Sequence, residues 1–190
     1  MKHLTRRTLM TAGAAALLAG RAGAAQDPQT RPEGQGVRNN LSSFRMISWQ
    51  DHFETLENGV ILADTRSRAV HFWSEDESIY RLYPSSVPSS DELTRLGYTR
   101  IVRKREAPTW TPTPSMRERD PSLPLTVAAG PENPLGTHAL YLDWQYYLIH
   151  GTHDTRKIGR ASSDGCIGLY NAHIQELFAL ARVGTQVRLI

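Results

Sequence analysis

Val60-Ile61-Leu62-Ala63-Asp64 and Ala69-Val70-His71-Phe72-Trp73, joined by the polar Thr65-Arg66-Ser67-Arg68, form the stretch on which the fold turns. Both runs are rich in side chains that suit a pleated, half-buried surface, and a polar spacer of this length predicts a β-hairpin. Downstream, Ser78 to Tyr83 alternates, with Ile79 and Arg81 against Tyr80 and Leu82, and predicts the next strand. Tyr98 to Arg105 predicts another around Ile101-Val102, and Ala139 to Asp143 and Tyr146 to His150 predict two more. Upstream, strand character begins at about Phe44. A single clear helix starts at Asn171, whose side chain is placed to cap the first turn. It continues through Ile174, Leu177, Phe178 and Ala181 at helical spacing and stops at Gly184. Thr185 to Ile190 reads as a closing strand. Seven of the eleven prolines fall between residues 107 and 136. That stretch is predicted to be a long loop with a short helical turn near Ser115 to Arg119, because proline removes donors and disfavours helix before it. Repeats are absent from this reading, and the many strands define a mainly β domain over residues 44–190.

Residues 1–24 differ from the rest. A basic start with Arg6-Arg7, a short apolar run from Thr11 to Gly20, and small residues at Ala22 and Ala24 make up a cleavable export signal resembling the twin-arginine type. The expected location of the mature protein is therefore the periplasm. Residues 25–43 are polar and rich in Gly, Pro and Gln, and read as a flexible linker. The apolar run falls short of the roughly 20 residues that span a bilayer, so no stable membrane span is expected. Without Lys2, Arg6, Arg7 and Arg21 the 22 basic side chains fall to 18 against 19 acidic ones, and the formal charge from +3 to −1. Bulk charge then gives no case for a nucleic-acid partner.

Cys166 is the only cysteine, and a free thiol in an oxidising compartment raises the prior for chemistry. His150 ends a predicted strand. Cys166 follows Gly165, whose backbone freedom lets the amides of Asp164, Gly165 and Cys166 form an anion-binding nest for a developing oxyanion. An imidazole lowers a thiol from its ordinary pKa of about 8.5, and the thiolate attacks a carbonyl to give a thioester. The imidazole needs an orienting group. The carbonyl of Gly151 and the carboxylates of Asp154 and Asp164 are the candidates.

The pattern His150-Gly151, a loop, then Ser163-x-Gly165-Cys166-Ile167 resembles the signature of the L,D-transpeptidase (YkuD-type) catalytic domain family. The resemblance extends over roughly residues 60–190. It takes in Trp110-Thr-Pro-Thr-Pro-x-Met116, Gly130-Pro-x-Asn-Pro-Leu-Gly136, Ala139-Leu-Tyr-Leu142 and Val183-Gly-Thr-x-Val187. It implies a β-sandwich-like fold and an enzyme acting on peptidoglycan stem peptides. Cys166 would attack the carbonyl of a diaminopimelate residue and release D-alanine, and the acyl group would pass to an acceptor amine. His150 would be the base, oriented by the carbonyl of Gly151. No metal or organic cofactor is implied, and a carbapenem would acylate Cys166. Two positions depart from the family. Asp164 stands where His is frequent, and Gly168 where Arg commonly follows the Cys-Ile pair.

With Gly168 the space two residues from Cys166 is expected to be larger and neutral, so that Gly168→Arg would shift the crosslink type or the donor preference without abolishing acylation of Cys166. Arg156, Lys157 and Arg160 are the candidate replacements for the missing charge, each with an alternative reading as a solvated loop residue. Trp110 and Tyr141 either line the substrate cleft or pack the Pro-rich loop on the sheet. Ser163 either donates to substrate or caps a turn. His150, His153, Asp154, Cys166 and His173 lie close in sequence. His-x-x-His at a strand end with one cysteine does not make a zinc site by default, and no metal is expected. His153 and His173 are expected at the surface. Water in place of the amine would make the protein an L,D-carboxypeptidase or amidase, and loss of chemistry a peptidoglycan-binding module.

Overall fold

In the computed structural model the described residues are 47–190, so the expected export signal, the linker and Phe44 lie outside them. The expected hairpin is formed by β1 (Val60–Asp64) and β2 (Ala69–Trp73), antiparallel with Asp64 opposite Ala69. Asp64 makes its turn, because its Oδ1 accepts from the amides of Arg66 (2.9 Å) and Ser67 (3.2 Å). All five residues of β1 are buried because both its faces are covered. Ile61 and Ala63 enter the main core, while Val60 and Leu62 pack under Phe53 and Leu56. The segment before β1 carries a 3-10 turn at Trp49–Asp51 rather than the expected strand.

The remaining strands are β3 (Tyr80–Pro88), β4 (Gly97–Glu106), β5 (His138–Leu142), β6 (Leu148–His150), β7 (Ala161–Ser163), β8 (Ile167–Leu169) and β9 (Gln186–Leu189). They form one nine-stranded sheet in the order β2-β1-β9-β4-β5-β6-β8-β3-β7, and β2 also pairs with β3. The sandwich-like layering is thus realised as a sheet that closes on itself, barrel-like. Closure depends on β3 being longer than its alternating residues suggested. Tyr80 to Pro84 pairs with β2, Ser85 and Ser86 with β8, and Val87 and Pro88 with β7 through a shift in register. Strand β9 lies between β1 (parallel) and β4 (antiparallel).

The helix α2 (Asn171–Leu180) buries Ile174 and Leu177 in the main core beside Ile149, Ile167 and Leu140. Its N-cap is Tyr170, without a side-chain cap bond, so the capping role expected of Asn171 is not filled. Gly184 does not end it either. Ala181 turns extended, and Lys104 of β4 donates from Nζ to the carbonyls of Phe178 (2.5 Å) and Ala181 (2.6 Å). In the Pro-rich segment the short helix α1 (Pro114–Arg119) forms as expected, with Pro114 in its first turn and Thr113 Oγ1 accepting from the Met116 amide at 3.3 Å. The segment is held by side chains. Buried Asn133 places Nδ2 at 2.8, 3.1 and 2.9 Å from the carbonyls of Pro108, Val127 and Ala128, and its Oδ1 accepts from Leu135. Trp110 and Val127 exchange backbone bonds.

Candidate active site

His150 on β6 lies opposite Gly168 on β8, and Ile149 opposite Ile167 in the same parallel pair. Both isoleucines are buried in the main core. Side chains alternate along a strand, so His150 and the Gly168 position face the other way. Cys166 stands one residue before β8, and the backbone of Leu148 on β6 hydrogen-bonds its sulfur. Thiol and imidazole therefore both lie at the seam between β6 and β8.

The histidine is oriented by its own backbone. Its Nδ1 is 2.5 Å from the carbonyl of Gly151, so Nδ1 carries the proton and Nε2 is left as the basic nitrogen. Gly151 is in turn held by Asn171, whose Oδ1 accepts from the amides of Thr152 (3.1 Å) and Thr137 (3.2 Å). A Cβ at Gly151 would collide with that oxygen and lie 3.1 Å from Ile174. Burial pushes His150 down to about 4, against the opposing effect of the Gly151 bond and with help from Lys157. Burial likewise pushes the Cys166 thiol up to about 11, the Leu148 amide opposing and Asp164 adding to the rise. The resting pair is thus uncharged at neutral pH.

The thiol has a partner of its own, since Cys166 Sγ donates to the carbonyl of Tyr146 at 3.4 Å. Tyr146 has φ +67 at the β5–β6 turn, a left-handed conformation that bulky residues seldom adopt, and its side chain is exposed. Gly165 has φ +128, and a side chain there would meet the Tyr147 ring at 3.6 Å. Tyr147 is fixed by its hydroxyl on the Leu93 carbonyl (3.2 Å) and by edge contact with Trp144.

The other residues singled out in the sequence fall into place around this pair. Ser163 donates from Oγ to the carbonyl of Cys166 at 2.5 Å, closing the turn before β8. Asp164 pairs with Arg119 of α1, which sequence reasoning missed. Asp154 is not the orienting group, because it accepts both guanidinium contacts of Arg156 (2.8 and 2.9 Å) and caps the Thr155–Lys157 turn. Tyr141 lies opposite Leu148 on the same face, and Arg103 covers its ring at 3.6 Å. Arg160 is exposed, and Trp110 is half-buried as a staple of the Pro-rich segment. His173 is not at the surface. It is half-buried between Tyr83 and Tyr170. His153 is exposed as expected.

Gly168 corrects an expectation. The space beside it is neutral but not larger, because a Cβ there would collide with Ser86 Oγ from β3 and come within 4.0 Å of His150 Cε1. Ser86 fills the volume that a side chain at 168 would need, so Gly168→Arg cannot be a simple gain of charge.

Two cavities of about 350 and 330 Å3 are lined by residues that include Thr137 and His138 in one and Thr152 and His153 in the other. Pro131 and Asn171 line both, and neither is lined by Cys166. Among the described residues no group of three or more His, Cys, Asp or Glu is arranged to hold a metal ion. Among them too, no helix is long and apolar enough to cross a membrane.

A closed sheet with an oriented imidazole on one strand and a thiol just before the neighbouring strand defines a class of domain able to carry thiol–imidazole chemistry. Residues 58–189 match the family model of the L,D-transpeptidase catalytic domain (YkuD), and the chain belongs to that family. It is 54% identical over 190 residues to the Fuscovulum blasticum protein named Putative L,D-transpeptidase in ATP synthase subunits region ORF 5, covering 98% of each chain. It is 38% identical over 142 residues to the Escherichia coli protein named Probable L,D-transpeptidase ErfK/SrfK. That match covers 72% of this chain and 45% of the relative, so the chain spans just under half of the longer protein. The fold is similar to that of L,D-transpeptidase 3 from Mycobacterium tuberculosis, solved with a faropenem-derived adduct. There the TM-score is 0.54 at 13% identity, over 70% of this chain and 60% of that one.

Proposed function

We propose that this protein is a peptidoglycan L,D-transpeptidase that works through a Cys166 thioester. The observation that carries the reading is the His150 Nδ1 contact with the Gly151 carbonyl, which leaves Nε2 basic on β6, the strand whose Leu148 also touches Cys166. Family membership and the relatives' names support the transpeptidase reaction.

Because thiol and imidazole rest neutral, the proton moves when substrate arrives rather than before. His150 Nε2 takes the thiol proton as sulfur bonds to the carbonyl carbon of the diaminopimelate residue. The oxyanion is received by the amides of Asp164, Gly165 and Cys166. Collapse breaks the peptide bond, and the imidazolium returns the proton to the departing D-alanine amine. An acceptor amine then attacks the thioester, His150 takes its proton, and the thiol is restored. Arg6-Arg7 and Ala22-x-Ala24 support export and a periplasmic site of action.

Purified protein incubated with disaccharide tetrapeptides should release D-alanine and give crosslinked dimers by mass, and imipenem should add one adduct to the intact protein. Cys166→Ala should abolish both, and His150→Ala should slow acylation by about 10²–10⁴-fold. Full activity of Cys166→Ala would end the proposal.

A further inference from the structure

Arg119, the last residue of α1, reaches the nucleophile's loop from 45 residues upstream and places a guanidinium nitrogen 2.5 Å from Asp164 Oδ1. Asp164 stands two residues before Cys166, close enough for its charge to act on the thiol. Of the cations expected to serve this loop, Arg156 is engaged with Asp154 through Nε and Nη2, Arg160 is exposed, and Lys157 acts on His150. Arg119 is delivered by a segment that is itself fixed. Asn133 clamps its base, and Arg117 donates to the carbonyls of Pro124 and Leu125. Both members of the Arg119–Asp164 pair are about half exposed (50% and 47%), so the guanidinium is reachable by a ligand.

We propose that Arg119 determines the charge specificity of the site: Asp164 holds its guanidinium ready in the free protein, and a carboxylate of the bound donor peptide takes Asp164's place or joins it. The proposal rests on the transpeptidase reading and names the residue that would select an acidic donor. An ion pair this exposed contributes little, so exchanging its carboxylate costs little. What Asp164 contributes is order. A long side chain already held in one geometry loses less freedom when ligand binds. The planar fork of arginine suits a carboxylate in a way that a lysine ammonium does not.

The test compares two disaccharide tetrapeptides, one with the diaminopimelate side-chain carboxyl free and one with it amidated. The readout is the ratio of their kcat/KM values, in which any effect on the thiol itself cancels. Wild type should favour the free acid by about ten-fold or more, mostly through KM. Arg119→Ala should bring the ratio close to one. Arg119→Ala combined with Asp164→Asn should give the same ratio, showing that a lost guanidinium and not a stranded carboxylate is responsible. Arg119→Lys should keep part of the preference. An unchanged ratio in Arg119→Ala, or no preference in wild type, would overturn the proposal. Wild type that uses neither donor yet takes up imipenem would instead remove the transpeptidase reading on which it rests.

Discussion

Cys166 and His150 are each held in the uncharged form by burial, and this sets how the thiol responds to pH. With the thiol near 11, alkylation of the free protein by iodoacetamide should climb steadily through pH 7 to 10. His150, neutral above about 4, should add no inflection across that range. A rate that already plateaus below pH 8 would mean a preformed thiolate–imidazolium pair and would contradict the resting state described here. One residue further into the row, Gly168 and Ser86 compete for the same volume. Gly168→Ala should lose about 1–3 kcal/mol of stability through overpacking. Gly168→Ala with Ser86→Gly should recover most of that loss in urea denaturation. A single variant as stable as wild type would show that Ser86 yields freely. The grouping of Cys166, His150 and the Gly151 carbonyl was legible in the sequence because these residues stand close along the chain. Ser86 and Arg119 were not, because strand pairing and an ion pair bring them in from 80 and 47 positions before Cys166.

At the scale of elements, two asparagines organise what the sequence leaves open. Asn133 gathers three carbonyls and one amide of the Pro-rich segment, and Asn171 gathers the amides of Thr137 and Thr152 behind His150. Removing Asn133 strands these groups in a buried place, at about 1–3 kcal/mol. Asn133→Ala should therefore lower the melting temperature and open residues 107–136 to limited proteolysis, while the sheet keeps its circular dichroism. Cleavage no faster than in wild type would mean that the prolines alone hold the segment. Proline content marked this stretch as loop, but not as ordered loop, since the ordering bonds link residues up to 25 positions apart. The β1–β2 hairpin was legible because its turn chemistry is local. The second half of β3 was not, because Pro84 and Pro88 argue against a strand unless the neighbours are known. Asn171 reads as a cap by position, but its side chain faces another element.

For the molecule as a whole, His71 sets an acid limit on stability. It lies in β2 with no exposed surface, stacked on Trp73, and its Nδ1 is 2.9 Å from the Tyr80 hydroxyl. Burial lowers it from 6.5 to about 4, with Asp64 opposing and His52 adding to the fall. The unfolded chain binds the proton first, so the contribution is fully present above about pH 6.5. It is lost as pH falls toward 4, on the order of 3 kcal/mol in all. His52, His150 and His173 are lowered too and act in the same direction. Urea midpoints measured from pH 7.5 to 4.5 should fall, and His71→Phe should flatten part of that slope. An identical slope in the variant would assign the loss to other groups. The place of β9 between β1 and β4 has a consequence in time. Val60 must wait for Gln186 before its parallel edge is covered. At about 5–20 residues per second, ribosomal synthesis would leave the first hairpin with an open edge for roughly 6–25 s. During that interval the nascent chain offers a bare apolar strand, Val60 to Asp64, to any chaperone or to another copy of itself.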